Sequence, residues 1–135
     1  LRMRADVPIA LMLSGGLDSS AIAHVIDEMV ENKEIEVQYI HAFTLNFEGF
    51  EKNEWEIVQE NAKHLKHIVC HPIHIDIPSF KKEIPNLIAK FDLPVLSVSH
   101  LLHCYALEEI KKQGVQLHCV KLIETQRIYV EYYGK

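Results

Sequence analysis

The residues of this 135-residue chain best suited to chemistry are consecutive: Ser14-Gly15-Gly16-Leu17-Asp18-Ser19-Ser20. They join a short apolar run to a segment of helical periodicity. The glycines permit positive φ and let a ligand approach the backbone closely. A helix starting near Asp18 to Ser20 offers unpaired N–H groups and the positive end of its dipole, which together favour a phosphate. Ser14, Ser19 and Ser20 add hydroxyl donors. Asp18 cannot help an anion directly, so its expected use is to hold Mg²⁺ against phosphate oxygens. The loop is not a Walker A motif, because no lysine occurs between Arg4 and Lys33, and GxGxxG is absent. A plain turn with Asp18 and Ser19 as helix caps is the bland alternative.

The other polar clusters are weaker. His67, Cys70, His71 and His74 crowd one predicted strand, where side chains alternate between faces and so diverge, against the convergence a zinc site needs. They read as polar positions at a strand edge. His41 is expected where another strand meets this loop's site, where it either approaches a ligand or is a satisfied core histidine. His100, His103 and Cys104 share one helix at metal-compatible spacing, but no second element supplies partners.

An alternation of strands and helices must position the loop. Val7 to Leu13 reads as a strand buried on both faces. The next helix carries Ala21, Ile22, Val25, Ile26 and Met29 at helical spacing. Val37 to Leu45 reads as a second strand. Trp55, Val58, Ala62 and Leu65 mark one face of a helix. Ile68 to Ile77 reads as a third strand, which Pro72 assigns to an edge or a bulge. A short helix follows Pro85, and Ser97 or Ser99 caps another that carries Leu102, Ala106 and Ile110 and ends at Gly114. Val115 to Val120 reads as a fourth strand, and Lys121 to Lys135 show no clear pattern. The expected fold is α/β, a parallel sheet with helices on both faces. Ligands of such sheets sit at the carboxyl ends of the strands, where the Gly-Gly pair falls.

Composition bounds the rest. The 14 Lys and Arg against 19 Asp and Glu leave a formal net charge of −5, which argues against nucleic acid as the main partner. No apolar run approaches the roughly 20 residues of a membrane span, and the start does not read as a signal peptide. Three widely spaced cysteines suit reduced thiols and a cytoplasmic location. Residue 1 is Leu, so the expectation is a piece of a longer protein, with Leu1 an internal position and Lys135 a premature end.

SGGLDSS resembles the pyrophosphate-binding loop of the PP-loop ATP pyrophosphatases. The longer stretch RADVPIALMLSGGLDSSAIA is similar to the start of the synthetase domain of glutamine-dependent asparagine synthetases. So are His41 to Leu45, the helix from Asn53 to Leu65, and the FDLPVLSVS segment. The resemblance implies an adenine nucleotide α-hydrolase-like fold, here a partial domain over residues 1–135. It implies ATP and Mg²⁺, adenylation of the aspartate side-chain carboxylate, and amide formation with ammonia. Carried over by position, Leu13, Ser14, Gly15, Gly16, Asp18, Ser19 and Ser20 would line the ATP and pyrophosphate site, with Asp18 on Mg²⁺. Met12 and Leu45 would flank the adenine.

The chain also departs from that family. The family's amino-terminal glutaminase domain, with its cysteine nucleophile, is not in this sequence, so ammonia would come from a domain outside it. Where the family has a motif like SGEGADE, this chain reads Val120-Lys121-Leu122-Ile123-Glu124-Thr125-Gln126-Arg127. Asp92-Leu93-Pro94 replaces the usual Asp-Glu-Pro, and the helical part that follows in the family is absent. The expectation is therefore weak or no synthetase activity from this chain alone. The alternatives are a non-catalytic nucleotide-binding fragment, or a β-lactam synthetase-like or peptide-cyclising amide ligase. The full-length protein is compatible with a homodimer.

Overall fold

The structure, a computed structural model, describes residues 8–47, 53–89 and 97–112, together with the backbone of 119–123 and 129–133. Among the described residues nine elements follow in the order β1 (Ala10–Met12), α1 (Leu17–Glu31), β2 (Ile40–Asn46), α2 (Glu54–Ala62), β3 (Ile68–His74), α3 (Ile77–Ala89), α4 (Val98–Lys112), β4 (Cys119–Ile123) and β5 (Tyr129–Tyr133). β1, β2 and β3 form a parallel sheet in that order. Met12 pairs with Phe43, and Thr44 with Pro72.

Alternation along β2 sends neighbouring residues to opposite faces, and each face builds its own core. Ile40 and Ala42 join Ala23, Ile26 and Val30 of α1, Val58 of α2, Leu13 and Ile68. Phe43 joins Ile73, Ile75, Phe80 and Leu87 of the β3–α3 region and Leu101, Tyr105, Ala106 and Ile110 of α4. Helices therefore cover both faces, as expected. Ile26, Ile73 and Ile110 are among the largest fully buried side chains, each worth about 1.5–3 kcal/mol by transfer from water.

Several local expectations are corrected. β1 has only 3 residues, and Ala10 and Met12 are exposed because it forms one edge of this sheet rather than a strand covered on both faces. α1 buries Ala23, Ile26 and Val30, whereas Ile22 and Val25 of the expected apolar stripe lie outside, 47% and 45% exposed. The third strand ends at His74, not Ile77, and α3 starts at once, eight residues before Pro85. The cause is a cap: Asp76 accepts from the Ser79 N–H at 3.0 Å, and its carbonyl takes the Phe80 N–H. Pro85 thus lies inside a helix, where it removes one i→i−4 bond. β3 is the other edge of the sheet, which is how Pro72 is tolerated in it.

Of the fourth expected strand, Val115 to Val120, residues 115–118 lie outside the described residues, and the described part does not join the parallel sheet. Cys119–Ile123 pairs antiparallel with Tyr129–Tyr133, from Cys119↔Tyr133 to Ile123↔Tyr129, in a separate two-stranded sheet. Among the described residues no fourth strand joins the parallel sheet. Pairing two segments so close in sequence closes a short loop, which costs less chain entropy than a distant partner. Asp92-Leu93-Pro94, Gly114 and Glu124 lie outside the described residues.

Candidate functional site

The loop from Ser14 to Gly16 leaves the carboxyl end of β1 and enters α1. Leu13 is buried, and its N–H donates to the Phe43 carbonyl at 2.8 Å, so the sheet's ladder holds the chain until the loop begins. Gly16 is the N-cap of α1 and has no side chain to cap with. The first backbone bond into the helix is Ser20 N–H to the Gly16 carbonyl, at 3.2 Å. The N–H groups of Leu17, Asp18 and Ser19 precede it and belong to the unpaired first turn of the helix.

Neither glycine is needed for positive φ, contrary to the expectation. Gly16 sits at φ −76° and ψ 157°, and Gly15 is not in the left-handed region either. Space is what requires them. A Cβ on Gly15 would stand 3.2 Å from three side-chain atoms of Ile57, and one on Gly16 would stand 3.3 Å from Ser14 Oγ. Ile57 of α2 therefore buttresses the loop backbone from behind.

Two serines close the loop on itself. Ser14 Oγ and Ser19 Oγ lie 2.7 Å apart. The Ser14 N–H donates to Ser19 Oγ at 3.2 Å, while Ser19 Oγ–H donates to the Ser14 carbonyl at 3.0 Å. Ser14 Oγ accepts from the Gly16 N–H at 3.3 Å. The Ser19 hydroxyl is thus spent inside the loop, and what Ser19 presents outward is its backbone N–H. Asp18 is exposed in the first turn of α1, where its carboxylate faces solvent at the positive end of the helix.

Met12 and Leu45 share a face of the sheet, because Met12 is in register with Phe43 and Leu45 lies two residues on. Met12 is 39% exposed and Leu45 packs against the α3–α4 core. Leu13 lies on the other face, in the α1–α2 core. The loop, Met12 and Leu45 therefore come together at the carboxyl edge of two adjacent strands. A recess of about 400 Å³ between α1 and α2 shares Gly15, Leu17 and Ser20 with the loop and is otherwise lined by Ala21, His24 and Asn61. Neither Asp18 nor Met12 nor Leu45 borders it.

His41 is placed differently from either expectation. It is exposed, second in β2, at the opposite end of the strand from the loop. Its Nδ1 lies 2.8 Å from His71 Nε2, and burial together with the nearby His41 holds the His71 imidazole below the ordinary histidine range. His67 instead bonds Glu31 of α1, while Cys70 packs against the α1–α2 core. His103 Nδ1 bonds the Ser99 carbonyl at 2.7 Å. Among the described residues, no group of three or more His, Cys, Asp or Glu could hold a metal ion. Nor is any helix there long and apolar enough to cross a membrane.

Sequence reasoning missed a polar network beside Leu45. Asn53 caps α2 and reaches Asn46, which in turn meets His74. Its only advance signal was an asparagine directly before the helical pattern of Glu54 and Trp55.

Residues 1–119 match the family model described as asparagine synthase. A putative asparagine synthetase [glutamine-hydrolyzing] 2 of Methanocaldococcus jannaschii is 43% identical over 49 residues, covering 36% of this chain and 8% of that protein. Asparagine synthetase [glutamine-hydrolyzing] 1 of Bacillus subtilis is 28% identical over 83% of this chain and 16% of its own length. Amidase chyE of Penicillium rubens is 24% identical over 87% of this chain and 18% of its own. The chain thus spans less than a fifth of each of these relatives.

Proposed function

This chain belongs to the asparagine synthase family, and from that premise we propose that it carries the ATP-binding part of an amide-forming ligase. In this reading residues 1–135 are the first part of a synthetase domain. Ammonia and the remaining catalytic groups come from regions outside them. The aspartate side-chain carboxylate attacks the α-phosphorus of ATP, and the bond to pyrophosphate breaks. Ammonia then attacks the acyl carbon and AMP leaves, giving asparagine. A carboxylate is a poor electrophile; the acyl-adenylate is a good one because AMP departs readily.

One observation carries the reading: an Ser14-to-Ser20 loop, closed by its own serines, opens an unpaired helix start at the carboxyl edge of a parallel sheet. The N–H groups of Leu17, Asp18 and Ser19 would bind departing pyrophosphate, with Gly15 and Gly16 admitting it to the backbone. Ser14 and Ser20 border the same anion, and Leu13 anchors the loop to the sheet. Met12 and Leu45 would receive the adenine. Asp18 suits Mg²⁺, which takes one or two carboxylates and otherwise phosphate oxygens and water. Bound there, Mg²⁺ neutralises charge building on the phosphates.

A second reading, a nucleotide-binding module without turnover, is favoured by Val120 to Arg127, which lack the glycines and acids of the family's later motif. Calorimetry with ATP and Mg²⁺, followed by pyrophosphate release with aspartate and ammonia, separates the two. Binding is expected in either case, and absent binding refutes both. Asp18→Ala is expected to weaken Mg²⁺-dependent binding about tenfold while leaving Mg²⁺-free binding alone. An unchanged Mg²⁺ dependence would remove Asp18 from its role.

A further inference from the structure

The polar network at the end of β2 has a direction, and that direction is fixed by backbone groups. The N–H groups of Phe47 and Trp55, at 3.4 and 3.3 Å from Asn53 Oδ1, can only donate. The Asn53 oxygen therefore faces them, and its Nδ2 donates to Asn46 Oδ1 at 2.6 Å. Asn46 is left with its own Nδ2 toward His74 Nδ1, 3.3 Å away. An amide N–H needs an acceptor, so His74 Nδ1 carries no proton and Nε2 carries it. The orientations of both asparagine amides thus follow from the Phe47 and Trp55 N–H groups.

The network also joins the parts that make the candidate site. Asn46 follows Leu45, is only 6% exposed, and its carbonyl accepts the Ile75 N–H at 3.0 Å. Asn53 caps α2. Four residues further along α2, Ile57 abuts the backbone of Gly15. Asn53 thus ties the strand end carrying Leu45 to the helix that buttresses the loop. We propose that Asn46 and Asn53 are positioning residues for the nucleotide-binding edge, acting through the ends of β2 and β3 and the seat of α2. This rests on the reading of that edge as an ATP site.

The test uses the full chain and Asn53→Asp, which keeps an acceptor for the Phe47 and Trp55 N–H groups, and so keeps the cap, but removes the donor to Asn46. The Asn46 amide must then turn to donate to the new carboxylate and present its oxygen to His74, whose ring proton moves to Nδ1. Nitrogen-15 NMR of the imidazole at pH above the histidine range is expected to show an unprotonated Nδ1 in the parent chain and a protonated one in the variant. ATP–Mg²⁺ affinity is expected to fall about tenfold, with the urea midpoint preserved. An unchanged tautomer, or an affinity within twofold of the parent, overturns the proposal. Should Asn53→Asp fail to fold, Asn46→Asp makes the same demand on His74 while leaving the α2 cap intact, and the same two readouts decide. If the parent chain binds no ATP, the reading of the edge falls, whereas the tautomer switch, measured without nucleotide, still judges the relay.

Discussion

A methyl group added at Gly15 would press on Ile57 at 3.2 Å, so the glycine is a packing requirement between the loop and α2. Ile57 is 47% exposed and can yield only in part, because one of the atoms met is its own Cβ. Gly15→Ala is expected to cost about 1 kcal/mol by overpacking. Ile57→Ala, which removes two of the three atoms met and keeps the Cβ, should restore part of it in the double variant, as read by urea denaturation. A loss that Ile57→Ala leaves untouched would show that the strain lies elsewhere. At this scale the sequence named the right residue types but not their reasons: SGG suggested positive φ, whereas the loop uses extended backbone and close approach.

Among the elements, α1 shows how ends decide position. Its C-terminus is a Schellman turn, with Glu34 N–H on the Met29 carbonyl at 2.8 Å and Lys33 N–H on Val30 at 3.0 Å. Lys33 occupies the left-handed position at φ 59°, where a glycine would carry no Cβ strain. Lys33→Gly is expected to stabilise the chain by about 0.5–1 kcal/mol, net of the entropy that glycine adds to the unfolded state. Thermal unfolding checks this, and a lower melting temperature would contradict it.

The same helix is fastened to the start of β3 by charge. Asp27 accepts from the Lys66 and His67 N–H groups at 3.2 and 2.6 Å, while Glu31 takes Lys66 Nζ at 3.0 Å and His67 Nε2 at 2.8 Å. The hydrogen bond to Glu31 holds His67 above the ordinary histidine range, and the bonds from His67 and Lys66 hold Glu31 below the carboxylate range. A raised histidine contributes fully below its unfolded pKa of about 6.5 and loses that contribution as pH rises through its folded value. A lowered carboxylate contributes above about 4.3 and loses it as pH falls through its folded value. The stability difference between the parent chain and His67→Gln should therefore be largest near pH 5–6 and shrink by pH 9. A difference independent of pH would exclude the ion pair as its source. Both groups are partly solvated, so added salt should reduce the effect.

For the whole molecule, the two-faced core is the organising fact. Ile73 lies 0% exposed between the sheet and α3–α4, and Val58 1% exposed between the sheet and α2. Ile73→Ala should cost about 2–5 kcal/mol, in one cooperative transition shared by both faces, because β2 and β3 line both cores. Two separate transitions by circular dichroism would mean that the layers unfold independently.

The α/β class, both covered faces, Pro72 at an edge and the loop at a strand's carboxyl end were all legible in the sequence. Each is written in local terms: runs of apolar residues, a 3.6-residue period, a proline without an N–H, and glycines before a helix. The burial of α1 was not, since periodicity finds an apolar stripe but not which part of it meets the sheet. Nor was the start of α3, because Ile75 and Ile77 suit a strand as well as a helix until the Asp76 cap is seen. The partner of Cys119–Ile123 was likewise undetermined, a strand pattern being silent about what it pairs with. The sequence by itself determined the groups on offer, a Gly-Gly loop before a helix with three hydroxyls and one carboxylate, and the family that carries them. Only the tertiary structure decided that Ser19 closes the loop, that His41 stands at the far end of its strand, and that Asn46 and Asn53 join β2 to α2. Those outcomes depend on side-chain hydrogen bonds across turns, five and seven residues apart in the two polar contacts, and on strand register, none of which a pattern of residue types specifies.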